Sequence, residues 1–243
     1  VSFDRIARHY FWLETVVFGA ALQRSRVHWI GRISTSKSVL VLGEGDGRFL
    51  CELVKALPDA DIDCVEASPR MIERARERLR QLPAGSGKNV RFVREDMGSW
   101  APPRSYDLLV THFVLDCFPS DEIERIVAKL AHAASPGAFW LLSDFTLPAK
   151  GWTRVVARVL LSVMYAFFRI TTRIKAKALV DPAPHLEKNG FVCSARCPFY
   201  AGIAKSELWR RLSSACASTR APALAPQETR SPSTSHGPTS FPA

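Results

Sequence analysis

The string Gly43-Glu44-Gly45-Asp46-Gly47 is the densest chemistry in the chain. It follows the apolar run Val39-Leu40-Val41-Leu42 and precedes Arg48-Phe49-Leu50. A strand, a glycine turn and a helix in that order can bring backbone close to a ligand, because glycine turns sharply and carries no Cβ to hold the ligand away. The spacing is GxGxG. The dinucleotide fingerprint GxGxxG would need glycine at position 48, and Arg48 argues against a pyrophosphate-bearing cofactor such as NAD. Glu66 ends the next apolar run, 19 residues past Gly47. An acid at a strand end of that kind accepts hydrogen bonds from ribose hydroxyls. His112 and Asp116 follow a later apolar run, Tyr106 to Val110, and are the side chains there able to take up a proton. The six histidines and six cysteines show no zinc spacing, so no metal is expected.

These residues need strand ends to carry them. Strands are expected at 38–42, 61–66, 90–93, 106–110 and 138–143, from short branched or alternating runs bounded by turn residues. Helices are expected between them, at 46–57, from Ser68 as N-cap with Pro69 at the first helical position, and from Ser120 as a cap. Strand and helix patterns that alternate call for a mainly parallel, doubly wound α/β sheet with helices on both faces. Ligands in such sheets bind beyond the carboxyl ends of the strands, near the switch in strand order. Residues 3–34 read as helical and 152–178 as a long helix rich in aromatic residues. Phe191–Cys197 and 199–203 read as closing strands, one of them antiparallel. The Ser/Thr/Pro/Ala-rich residues 214–243 read as a disordered tail.

Taken together, residues 38–145 resemble the class I S-adenosylmethionine-dependent methyltransferases, whose fold is Rossmann-like. Gly43, Gly45 and Gly47 match that family's first motif, and Val65-Glu66-Ala67-Ser68, with Met71 beyond, resembles the second. Arg94-Glu95-Asp96-Met97 resembles the third, Tyr106 to Phe113 the fourth, and Pro136-Gly137-Ala138 the turn into strand five. The opening Phe3 to Tyr10 resembles the ubiquinone/menaquinone methyltransferase branch. The resemblance implies S-adenosylmethionine as cofactor, held by Gly43, Glu44, Gly45, Gly47, Glu66, Ala67, Met71, Asp96, Met97 and Thr111. His112 is the leading base, with Asp116 and Tyr10 as further catalytic candidates, Tyr10 reaching over from the N-terminal helix. Val41 stands where many family members carry an acid, and Glu44 or Asp46 is the substitute at hand. Gly-Glu-Gly-Asp-Gly also resembles the aminopropyltransferases, whose acid-rich turn after strand four is missing here.

Charge separates the chain into unequal parts. Residues 1–149 hold 19 Lys/Arg against 19 Asp/Glu, whereas 150–213 hold 12 against three. That divides the chain into a helical cap (1–37), a cofactor-binding core (38–149), a basic aromatic lid with closing strands (150–213) and the tail (214–243). The lid suggests a small acceptor of lipophilic or membrane-associated character and peripheral contact with anionic lipid. Scattered cysteines without a CxxC pair, and no apolar leader at the start, give a cytoplasmic expectation. An RNA acceptor, or a fold that binds cofactor or partner without catalysis, are the alternatives left open; no appended nucleic-acid module is recognisable.

Overall fold

Branched apolar runs build the middle of the sheet. The computed structural model describes residues 20–148, 150–172 and 179–212. Strands β1 (Ser38–Leu42), β2 (Asp61–Val65), β3 (Val90–Val93), β4 (Tyr106–His112) and β5 (Ala134–Phe145) are parallel, and β6 (Phe191–Phe199) and β7 (Ala204–Arg211) complete a seven-stranded sheet. The order is β3-β2-β1-β4-β5-β7-β6, with β7 antiparallel to both neighbours. The sheet is therefore mainly parallel with one reversed strand, as the sequence suggests. Strand order switches between β1 and β4, so the crevice for a ligand opens above Leu42 and Thr111, which are register partners.

Helices cover both faces. The face formed by Leu40, Leu42, Leu109, Trp140 and Leu142 packs against α4 (Ser120–Ala133), α5 (Trp152–Thr172) and α6 (Ala183–Lys188). The opposite face, with Val39, Val41, Ile62, Cys64 and Val110, packs against α2 (Arg48–Ala56). Helix α3 (Pro69–Arg80) opens with Ser68 as N-cap, its Oγ accepting from the Met71 N–H at 3.2 Å. At the base of the sheet Asp63 ties three strands: Tyr106 donates to it at 2.6 Å, and Arg91 grips both carboxylate oxygens at 2.9 Å.

Four sequence expectations change. The N-terminal helix does not run to residue 34. Its described part, α1 (Ala21–Val27), gives way to a 3-10 turn at Ile30–Arg32. The β-branched Val27, Ile30 and Ile33, with Gly31 among them, favour burial on the Val39–Val41 face of the sheet over helix continuation. Ser120 is the first helical residue rather than the cap; Pro119 holds the extended cap position, without a side-chain bond, and the Ser120 hydroxyl lies 3.5 Å from the His185 ring. Strand five begins at Ala134, and its pairing shifts register between Tyr106 and Leu108. Phe199 ends β6, and the rest of the 199–203 segment is not a strand but a reversal, with Tyr200, Ala201 and Gly202 all at positive φ. The true strand, β7, looks polar in sequence, yet Lys205, Ser206 and Glu207 are buried. Their charges are matched: Lys205 meets Asp181 at 2.7 Å and Glu207 at 3.1 Å, and Arg196 meets Glu207 at 2.6 Å. Residues 3–19, Tyr10 among them, the end of the expected long helix (173–178) and the 214–243 tail lie outside the described residues.

Candidate active site

Three strands end at one level. The Gly43 N–H donates to the Val65 carbonyl at 2.9 Å, Glu66 N–H to Val93 at 3.0 Å, and Phe113 N–H to Ser143 at 2.8 Å. Each bond extends the parallel ladder by one step, so the glycine turn, the acid and the loop after β4 leave the sheet side by side. They border one cleft, whose lining includes Gly43, Glu44, Gly45, Glu66, Ala67, Met71, Asp96, Met97 and His112.

The glycines do different work. Gly47 caps α2 at φ +86°, and a Cβ there would sit 2.6 Å from the Ala75 Cα. Gly43, at φ +64°, faces the Val114 side chain, 2.4 Å from where a Cβ would be. Gly45 also has a positive φ, +74°, but nothing lies within 4 Å of its Cβ position. It borders the cleft, so that open space is a cradle over bare backbone.

Carboxylates hold the turn. The buried Glu66 accepts from Gly45 N–H at 3.1 Å and from Ser68 N–H at 2.9 Å. A carboxylate has about four lone-pair sites, so further donors can be accepted. Glu44 accepts from the Leu50 N–H at 2.9 Å and so caps α2, where an exposed helix N-terminus attracts negative charge. Burial nevertheless pushes its carboxyl up to about 8, against the opposing pull of that N–H and of Arg26. Asp46 is spent on Arg48 at 3.0 Å and Arg78 at 2.9 Å, tying the turn to α3. Val41 is fully buried among apolar neighbours, so an acid there would be costly; Glu44 steadies the turn instead.

His112 forms the far wall. Its ring meets the Phe49 ring edge-on at 4.5 Å, and its Nδ1 is buried without a hydrogen-bond partner. Burial, with the positive charge of Arg26 adding to it, holds the imidazole well below the usual histidine range. It is therefore neutral at physiological pH. Arg26, from α1, also lines the cleft and stands 5.2 Å over the Phe113 ring. Phe113 itself is at φ +53°, a strained backbone position for a non-glycine residue, beside the site.

Two candidates turn away. The Thr111 hydroxyl accepts from the Trp140 indole at 2.8 Å, and the side chain is fully buried outside the cleft wall. Asp116 is buried behind that wall, where the Cys117 thiol donates to it at 3.7 Å. Its carboxylate faces Asp144, whose carboxyl is pushed well up by burial and then by Asp116, against the Phe145 N–H and Lys205. Arg26, Phe113, Val114 and Phe118 line the cleft without having been picked from the sequence. The sequence signal for Arg26 is a cation on a helix preceding the glycine strand; Phe113 and Val114 follow directly on His112, and Phe118 follows the 3-10 turn beyond them.

Residues 40–140 match the model of a family described as "Methyltransferase domain". The match takes in less than half of the chain, and over those residues the chain is similar to the S-adenosylmethionine-dependent methyltransferases. Among curated relatives, malonyl-[acyl-carrier protein] O-methyltransferase 1 of Ilyobacter polytropus is 33% identical over 75 residues, 31% of this chain and 26% of the relative. Polyamine aminopropyltransferase of Mycobacterium tuberculosis is 32% identical over 140 residues, 51% of this chain and 26% of the relative. The chain thus spans about a quarter of the length of these relatives. The solved structure of the mitomycin 7-O-methyltransferase MmcR shares the fold, with TM-score 0.62 at 19% identity, over 87% of this chain and 61% of that one. The methyltransferase fold accounts for the β3-β2-β1-β4-β5-β7-β6 order and for the cleft at its switch point. The branch resemblance at residues 3–10 lies outside the described residues.

Proposed function

We propose that this protein transfers a methyl group from S-adenosylmethionine to a small acceptor of lipophilic character. One observation carries the reading: the open Gly45 backbone, Glu66, Asp96 and a neutral His112 border one cleft at the switch point of the sheet. S-adenosylmethionine supplies an activated methyl on a sulfonium and leaves as a neutral thioether. Glu66 has acceptor capacity for ribose hydroxyls, and Asp96 with the apolar Met71 and Met97 suits an adenine ring. Arg26 offers the cation for an amino-acid carboxylate. His112 is the side chain at hand to take the acceptor's proton when the acceptor atom carries one; burial keeps it neutral and at the same time lowers its affinity for that proton. Because displacement needs nucleophile and methyl in line at about 3 Å, orientation by the walls does most of the remaining work.

The lipophilic reading rests on Phe113, Val114 and Phe118, which line the cleft. The division into cap, core, lid and tail belongs to the same proposal, with α5 as the acceptor-side lid and a cytoplasmic protein peripheral to an anionic membrane. No described helix is long and apolar enough to cross a membrane. Aminopropyl transfer is the competing reading, since a polyamine aminopropyltransferase is among the relatives. Arg26 favours the carboxylated cofactor over the decarboxylated one. The deciding experiment offers labelled S-adenosylmethionine with lipid, quinone, small-acid and RNA acceptors, and decarboxylated cofactor with polyamines. Label on a lipophilic acceptor supports the proposal; label on RNA alone, or aminopropyl transfer alone, refutes it.

A further inference from the structure

Helix α5 buries one side and leaves the other bare. Ala157, Leu161 and Met164 are buried in the core. At about 100° per residue, Trp152, Val155, Val156, Val159 and Val163 fall together in a stripe about 100° wide, opposite that buried side. All five are exposed: Trp152 by 76%, Val155 by 63%, Val159 by 59%, Val163 by 64% and Val156 by 46%. Single exposed apolar residues are ordinary, but a continuous stripe over three turns calls for an occupant.

Charge identifies that occupant. Between Phe145 and Val180 the chain has seven Lys/Arg and no Asp or Glu. Lys150 and Arg158 are exposed, and Arg158 lies along one border of the stripe. We infer that the outward face of α5 lies in the surface of a bilayer containing anionic phospholipid, with Trp152 and the valines entering the acyl boundary and the basic residues meeting headgroup phosphates. Apolar insertion and attraction to anionic lipid reinforce one another in such helices. A second copy of the chain seated on the same stripe would offer Arg158 no acidic partner, because the segment between Phe145 and Val180 carries no Asp or Glu. The inference deepens the proposed function by locating a lipophilic acceptor at the membrane. It rests on that function only for its purpose, since lipid binding is measured without methyl transfer.

The full chain is sedimented with phosphatidylglycerol–phosphatidylcholine vesicles and with phosphatidylcholine alone, at low salt and at about 0.15 M, where exposed charges are screened beyond about 8 Å. Binding is expected on the anionic vesicles only, and weaker at the higher salt. Lys150→Gln and Arg158→Gln should each cost about fivefold in partition. The triple variant Val155→Ser/Val159→Ser/Val163→Ser should lose at least tenfold while keeping its circular dichroism spectrum, because these side chains touch solvent. Brominated lipid should quench tryptophan emission in the wild type and much less in Trp152→Phe. The inference is overturned by no binding at low salt, by equal binding to neutral vesicles, by a triple variant that binds as wild type, or by a concentration-dependent dimer that the triple variant abolishes. Cofactor titration on the same samples reports separately on the methyltransferase reading.

Discussion

Gly45 and Gly47 both sit at positive φ, and replacing each with alanine should separate a fold-building glycine from a ligand-facing one. A left-handed backbone costs a non-glycine residue about 1–2 kcal/mol. Alanine returns about 0.4–1 kcal/mol by restricting the unfolded chain. For Gly45→Ala nothing else is met within 4 Å, so the net loss should be about 1 kcal/mol. For Gly47→Ala the new methyl lands 2.6 Å from the Ala75 Cα and 2.8 Å from its Cβ. Backbone cannot step aside as a side chain can, and overpacking of this kind adds about 1–3 kcal/mol. The total for Gly47→Ala is then about 2–4 kcal/mol, or roughly 5–15 °C in Tm for a chain of this length. Cofactor affinity should order the other way. The Gly45 methyl projects into the open cradle and should weaken S-adenosylmethionine binding at least tenfold, about 1.4 kcal/mol. The refolded Gly47→Ala variant should bind within a few fold of wild type. Urea unfolding and titration calorimetry measure the two quantities. Equal stability losses, or a Gly45→Ala variant with unchanged affinity, would refute the assignment of roles.

Glu66→Gln should weaken cofactor binding by about 1–3 kcal/mol, because a neutral amide leaves buried donors of the turn and ligand short of an acceptor; affinity within twofold of wild type removes Glu66 from the site. His112→Gln should lower kcat by about 10²–10⁴ with little change in cofactor affinity, measured in single-turnover assays on whichever acceptor is identified; an unchanged rate would mean that the acceptor needs no base. Glu44 gives a pH prediction. Its folded value of about 8 lies above the ordinary 4.5, so its contribution to stability is fully present below about 4.5 and lost as pH rises through about 8. Glu44→Gln keeps an acceptor for Leu50 N–H and removes that dependence. At about 1.4 kcal/mol per pH unit the ceiling is about 5 kcal/mol, and water in the cleft reduces the expected gain at pH 9 to about 1–3 kcal/mol. His112 acts with the opposite slope, its depressed value withdrawing stability as pH falls below 6.5. Denaturant melts of wild type and Glu44→Gln from pH 5 to pH 9 test this; parallel curves would show that Glu44 is ionised throughout.

The glycine turn and Glu66 were legible because local chemistry specifies them, whereas Asp96 rested on the motif resemblance alone. Positive-φ positions ask for glycine, and a short branched run followed by an acid marks a strand end. Side-chain alternation was harder to read. Thr111 and His112 are neighbours at the end of β4, and the period of two sends one to Trp140 and the other to Phe49 and the cleft. Asp116 looked like a base by proximity in sequence, but the 3-10 turn at Leu115–Cys117 points it into the protein. Strand β7 was hidden because its buried charges are satisfied by Asp181 and Arg196, which are remote in sequence. Arg26 was missed for the same reason: its meaning comes from Phe113, Glu44 and His112, which only the fold brings near.

The contact between Gly43 and Val114 limits how acceptor preference can change. The methyl groups of Val114 occupy the space that a side chain at 43 would fill, so the loop after β4 is keyed into the cofactor turn. Broader acceptor scope cannot be obtained by replacing that loop wholesale, since a bulkier residue at 114 would dislodge the turn and a smaller one would leave it rattling. Selection in the laboratory should instead accumulate changes at Phe113 and Phe118, which border the cleft, while position 114 stays close to valine in size whatever molecule the cleft is selected to take.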